Sequence, residues 1–275
     1  MRRSSGRLLL PSLLALVAGA AGCGVRGPVN PSFDLGVAEA RQAMDAMAAT
    51  PTRLERPVVI LAGWADPGIA SSLLVRRLER VLDDDRIIDV HFVGASSFDE
   101  ARERVIAAVD AAFTDGDASG TPEVDVVAVS MGGLVARHAA APAGSGADGT
   151  RRLRVRRLFT IATPHQGARA ARWVGWCGRV ADMRPDATFL QSLPAAREAG
   201  YEIYAYVRLD DAVVGATRAG VDEATPAWWV ANRWLQPAHT LAFADVRILA
   251  DIARRLRGEP GWTRQPPTEV PPPFR

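Results

Sequence analysis

Short apolar runs alternating with amphipathic stretches constrain this chain more than any other feature. Residues 58–61, 87–93, 124–129, 155–163 and 201–209 read as buried strands. Between and after them, 71–82, 98–113, 131–140 and 243–257 read as helices. The first of these places Leu73, Leu74, Leu78, Val81 and Leu82 at helical spacing. Buried strands alternating with helices predict an α/β fold, a mainly parallel sheet with helices on both faces. With 48% hydrophobic and 23% charged residues, the chain can bury a substantial core.

Composition also removes whole classes of chemistry. The formal net charge is only +2, so no global field draws the chain to nucleic acid, and no such partner is expected. All 33 basic residues are arginine. Without lysine there is no Schiff base, no phosphate-cradling lysine of a nucleotide-binding loop and no lysine base. Four His and two Cys build neither a Cys-rich zinc site nor a disulfide framework. Chemistry by Ser, Asp and a few His remains, with no metal or organic cofactor expected.

The N-terminus reads as an export signal over 1–22. Arg2, Arg3 and Arg7 precede an apolar run, 8–21, which Pro11 interrupts and which is short for a permanent span of roughly 20 residues. Ala20-Ala21-Gly22-Cys23 resembles the lipobox of bacterial lipoproteins, with Ala20 standing where that motif prefers Leu. The resemblance implies a diacylated Cys23 that tethers the protein to a membrane of the bacterial envelope. A plain signal-peptidase cut after Ala20 is the alternative, and Cys23 could then pair with Cys177. Residues 23–57 read as a tether followed by an N-terminal helix, and 58–258 as the main domain. The last segment, 259–275, holds six prolines and reads as an extended, mobile tail.

The segment Val126-Val127-Ala128-Val129-Ser130-Met131-Gly132-Gly133 carries the chemistry. A strand enters Ser130 and a helix leaves it, with small residues two before and two after, where strand and helix backbones nearly touch. An ordinary helix N-cap serine is the bland reading. Three more segments bear on the choice. Val58-Val59-Ile60-Leu61-Ala62-Gly63-Trp64-Ala65-Asp66 resembles the first strand and oxyanion loop of an α/β-hydrolase. Thr160-Ile161-Ala162-Thr163-Pro164-His165-Gln166-Gly167 resembles the T-P-H-x-G loop of lipase-like hydrolases, and 182–190 the segment that follows it. Together the four resemble bacterial lipases and the inositol-deacylase-like serine esterases over roughly 58–257. The usual His-Gly start of the oxyanion loop is Ala62-Gly63 here.

That resemblance implies an α/β-hydrolase fold and a Ser, acid, His order along the chain. Ser130 would be the nucleophile and His239, in a polar loop before the last helix, the base. His165 is the competitor, although in the resembling families its counterpart is a structural residue near the pocket; with Gly63 it is expected to line the substrate pocket. His91 reads as a core or surface residue, and His138, eight residues along the elbow helix, as too far from Ser130. The acid is Asp211 or Asp210, each three residues before a Val, with Asp211 preferred. The backbone amides of Trp64 and Met131 would hold an oxyanion.

Residues 168–198, with Trp173, Trp176, Phe189 and Leu190, are expected to form a small cap. The basic run of Arg151, Arg152, Arg154, Arg156 and Arg157 reads mainly as a solvated face, with anionic lipid head groups as the other reading. The leading function is hydrolysis of a small ester or lipid through an acyl-enzyme on Ser130. An acyltransferase on the same residues and a non-catalytic binding protein on this fold are the alternatives.

Overall fold

The computed structural model describes residues 28–63, 66–142, 151–172, 178–233, 236–265, 267–272 and 274. The expectations for the export signal, Cys23, Trp64, Trp173, Trp176 and Cys177 lie outside the described residues. Six strands form one sheet: β1 (Val58–Leu61), β2 (Ile87–Val90), β3 (Gly120–Val129), β4 (Arg152–Ile161), β5 (Glu202–Arg208) and β6 (Trp228–Val230), in the order β2-β1-β3-β4-β5-β6. Every pairing is parallel. The helices are α1 (Val37–Ala49), α2 (Ile69–Glu79), α3 (Phe98–Ala112), α4 (Met131–Ala140), α5 (Gly178–Asp182), α6 (Thr188–Ser192) and α7 (Val246–Leu256).

Alternation along each strand divides the core in two. Val58, Ile60, Val127 and Val129 face the layer of α1, α2 and α7, whereas Val59, Leu61, Val126 and Ala128 face α3 and α4. All eight are buried, because helices cover both faces of the sheet. The chain leaves β1 toward β2 on one side and returns to β3 on the other. The C-terminal ends of β1 and β3 therefore flank the point where strand order reverses, where open parallel sheets bind ligands.

Three expectations need correction. β6 lies outside the expected strands: at three residues, between Pro226-Ala227 and a loop, it has no period to read. The proline-rich tail is extended but tied down. Trp228 Nε1 donates to the Arg264 carbonyl at 2.8 Å, and Trp229 Nε1 to those of Thr268 and Glu269. Asp251, fully buried in α7, accepts from the Thr263 backbone and hydroxyl. The supposed tether is fixed from residue 30 onward, since Asn30 Nδ2 donates to the Trp229 carbonyl and Ser32 Oγ bonds Thr268.

The basic run is mostly spent inside the chain. Arg151 pairs with Asp110, Arg154 with Asp117, Arg156 with Glu202, and Arg157 with the buried Asp125. An arginine committed to a partner has little left to offer a lipid head group.

Candidate active site

Ser130 stands between β3 and α4 with φ 51° and ψ −121°, a conformation an L-residue adopts only under restraint. The restraint is visible. Its N–H donates to the Ile161 carbonyl at 2.8 Å, and its carbonyl accepts from Thr163 Oγ1 at 2.8 Å and from the Gly133 N–H. A Cβ at Gly132 would sit 2.6 Å from the Ala62 carbonyl oxygen, and one at Gly133 would sit 2.3 Å from Thr163 Oγ1. The two glycines let α4 pass against the end of β1 and the loop after β4, and that packing forces the turn.

The strained turn aims the hydroxyl at an imidazole. Ser130 Oγ lies 3.1 Å from His239 Nε2, and His239 Nδ1 lies 2.8 Å from Asp211 Oδ2. A carboxylate can only accept, so Nδ1–H donates to Asp211 and Nε2 is free to accept from Ser130. Asp211 is 2% exposed, and its other oxygen accepts the Val213 and Val214 amides. Asp210, the rival acid, is exposed to solvent.

Supports reach beyond these three residues. Arg208, at the end of β5, donates to Asp245 Oδ2 at 2.9 Å and to Gln236 Oε1 at 3.0 Å. It thus ties the start of the His239 loop to the N-cap of α7, which Asp245 forms by accepting the Arg247 amide. Burial opposes charge on Asp245, but the Arg247 hydrogen bond and the charges of Arg247 and Arg208 hold its carboxyl below the ordinary range. Asp66 accepts four amides, from Gly68 through Ser71, and so pins the loop after β1 to the start of α2. An Asp just before a helix is a legible capping signal at both places; Arg208 carried none.

These elements border a cavity of about 720 Å³, lined by Ser130, His239 and Gly63 with mostly apolar neighbours such as Leu73, Val180, Met183 and Phe243. Ile69 and Val213, 69% and 40% exposed, also line it. Within 168–198 the described residues divide. Ala168, Ala170, Ala171, Val180 and Met183 form a cavity wall, whereas Leu190 and Leu193 enter the core and Phe189 stacks on Phe98 at 4.0 Å. α6 is therefore anchored to α3 and is no cover for the site. Met131 is the first residue of α4, where an amide has no helical acceptor. Gly63 approaches closely enough that its Cβ would stand 3.6 Å from that of Ser130. Among the described residues no three His, Cys, Asp or Glu side chains gather as a metal-holding group.

His165 does not line the cavity, contrary to expectation. Pro164 lines it, and His165 turns inward to 3% exposure. Arg137 Nη1 donates to its Nδ1 at 3.2 Å, so Nε2–H donates to Thr160 Oγ1 at 3.0 Å. Burial, reinforced by the Arg137 charge, pushes its pKa well below the ordinary 6.5. The unfolded chain therefore binds a proton here, below about pH 6.5, that the folded chain refuses. This contribution to stability is complete above that pH and is lost as the pH falls, by at most about 1.4 kcal/mol per unit. Urea unfolding at about pH 7 and about pH 5.5 should show a smaller acid loss in His165→Asn than in the wild type. Equal losses would mean that His165 titrates normally.

No protein-family model and no curated protein matches the chain. Among solved structures it is similar to phospholipase PlaB from Legionella pneumophila, with a TM-score of 0.52 at 11% identity over 74% of this chain and 60% of that one. A second structure of PlaB, in complex with thio-NAD, gives a TM-score of 0.51 at 12% identity, covering 74% and 59%. The chain thus spans about three fifths of that phospholipase's length. With the parallel sheet above, the likeness identifies the fold as that of the α/β-hydrolases.

Proposed function

We propose that this chain is a serine hydrolase of carboxylic esters with lipid-like acyl groups. The carrying observation is the continuous hydrogen-bonded line from Ser130 through His239 to Asp211, on a strained turn, at the wall of a largely apolar cavity. The name of the similar phospholipase agrees with this reading. The exposed Ile69 and Val213 at the cavity suit a substrate with an apolar chain.

In this mechanism Ser130 Oγ attacks the ester carbonyl carbon while His239 Nε2 takes its proton. Asp211 stabilises the imidazolium that forms. The carbonyl oxygen, now negative, meets the Met131 amide at the N-terminus of α4; the resemblance assigns the second donor to Trp64. Collapse expels the alcohol, protonated by His239. Water then adds to the acyl-enzyme, giving its proton to Nε2, and the acid leaves as Ser130 regains its proton.

The test is labelling of the purified chain with a fluorophosphonate probe, followed by hydrolysis of p-nitrophenyl esters. Labelling confined to Ser130 together with ester turnover is expected. Absence of both would leave a binding protein on this fold, and acyl transfer to an added alcohol in preference to water would make it a transferase. Export and tethering are a separate part of the proposal. Mass spectrometry of protein from a lipoprotein-competent bacterium should find a diacylglyceryl group on Cys23. A mature chain beginning at Ala21 with unmodified Cys23 would leave export without an anchor.

A further inference from the structure

A second cleft, of about 360 Å³, lies between α1, the end of α2 and the start of α7. Four arginines line it: Arg41 from α1, Arg77 and Arg80 from α2 and the segment after it, and Arg233 from the loop after β6. Among the described residues the single carboxylate in its wall is the exposed Asp45. None of the four arginines forms an ion pair among the described residues, unlike Arg151, Arg154, Arg156 and Arg157. Arg77 is fixed in place by one bond from Nη1 to the Ala244 carbonyl at 3.0 Å.

The charge excess extends into the adjoining core. Arg208 has a lowered pKa, mainly through burial, with the charges of Arg247 and Arg233 adding to it against the pull of Asp245. Four guanidinium groups around one concavity repel one another, and a ligand of opposite charge relieves that repulsion. Guanidinium forks match phosphate oxygens in geometry, and a phosphate carries about −1.5 to −2 charge on three acceptor oxygens. One carboxylate offers only two.

The cleft and the catalytic cavity are neighbours with a shared wall. Ala70 and Leu73 line the cavity, and Arg77 and Arg80 line the cleft, all at the three- and four-residue spacing of one helical face. The rise from Leu73 to Arg77 is about 6 Å. Phe243 borders the cavity and Ala244, its neighbour, borders the cleft. We infer that the arginine cleft binds a phosphate group, and that this phosphate belongs to the head group of the ester opened by Ser130. The substrate class is then a phosphate-bearing acyl ester, an inference that rests on the hydrolase reading above.

The test compares 1-butyrylglycerol with 1-butyrylglycerol 3-phosphate, both soluble, in the wild type and in Arg41→Gln/Arg80→Gln, whose exposed side chains leave the core untouched. The ratio of kcat/KM, phosphate ester over neutral ester, should fall about tenfold or more in the double variant. In parallel, calorimetry with glycerol 3-phosphate should show binding to the wild type that weakens by about the same factor in the variant. An unchanged ratio with no binding overturns the inference. Binding lost in the variant with the ratio unchanged means that the cleft takes a free phosphate ester, and overturns the link to the substrate. If neither ester is hydrolysed but glycerol 3-phosphate binds through Arg41 and Arg80, the hydrolase reading fails and the phosphate site stands.

Discussion

Ser130→Ala is expected to fold normally and to lose at least about four orders of magnitude in kcat/KM on a p-nitrophenyl ester. Removing the hydroxyl deletes the nucleophile but none of the contacts that shape the turn. The amide of residue 130 still donates to Ile161, and its carbonyl still accepts from Thr163 and Gly133. Alanine bears the same positive φ as serine, so the strain is unchanged. The thermal midpoint should therefore move little while activity disappears. Retention of full activity would place the nucleophile elsewhere and end the proposal.

Asp211→Asn should cost on the order of 10⁴ in rate, and Asp210→Asn almost nothing. Asp211 uses one oxygen for the Val213 and Val214 amides and the other for His239 Nδ1–H. An asparagine that keeps its oxygen on the two amides must turn its NH₂ toward Nδ1. The imidazole then accepts at Nδ1 and carries its proton on Nε2, where it can no longer take one from Ser130. The flipped asparagine fares no better, because its NH₂ would face two backbone N–H groups. Asp210 is exposed and meets none of these demands. The measurement is kcat/KM of both variants on one short-chain ester, with circular dichroism to confirm folding. Two mild variants would mean that another group orients His239.

The two predictions differ in how far the sequence supports them. Ser130 could be singled out because the requirements of its turn lie within eight consecutive residues (strand, small residue, serine, glycine pair, helix) and three further segments in the right order set it apart from an ordinary N-cap. The helices facing the sheet were likewise legible, since their apolar residues recur with the period of a helix. Asp211 was harder, because Asp210 and Asp211 each precede a valine by three. The choice was fixed by which carboxylate the turn buries beneath His239, with the amides of Val213 and Val214 closing on it. The four anchors of the tail and the N-terminal segment, Trp228, Trp229, Asn30 and Ser32, are polar contacts between residues far apart in the chain. Nothing local announces them.

His165 shows the boundary most clearly. Its motif was recognised, yet the side chain turns away from the cavity. The direction is set by two buried partners, Thr160, whose Oγ1 accepts from Nε2–H, and Arg137, whose Nη1 donates to Nδ1. The arginine cleft is of the same kind. Arg41, Arg77, Arg80 and Arg233 are unremarkable in a chain with 33 arginines, and only the packing of α1, the end of α2 and the loop after β6 makes them one surface. By itself, then, the sequence determined five of the six parallel strands, the helices that face them and the nucleophile turn, because apolar periodicity and the steric needs of a sharp turn are local. Only the tertiary structure decided which acid meets His239, where His165 points and which arginines share a cleft, because those outcomes depend on the directions of side chains brought together from distant segments.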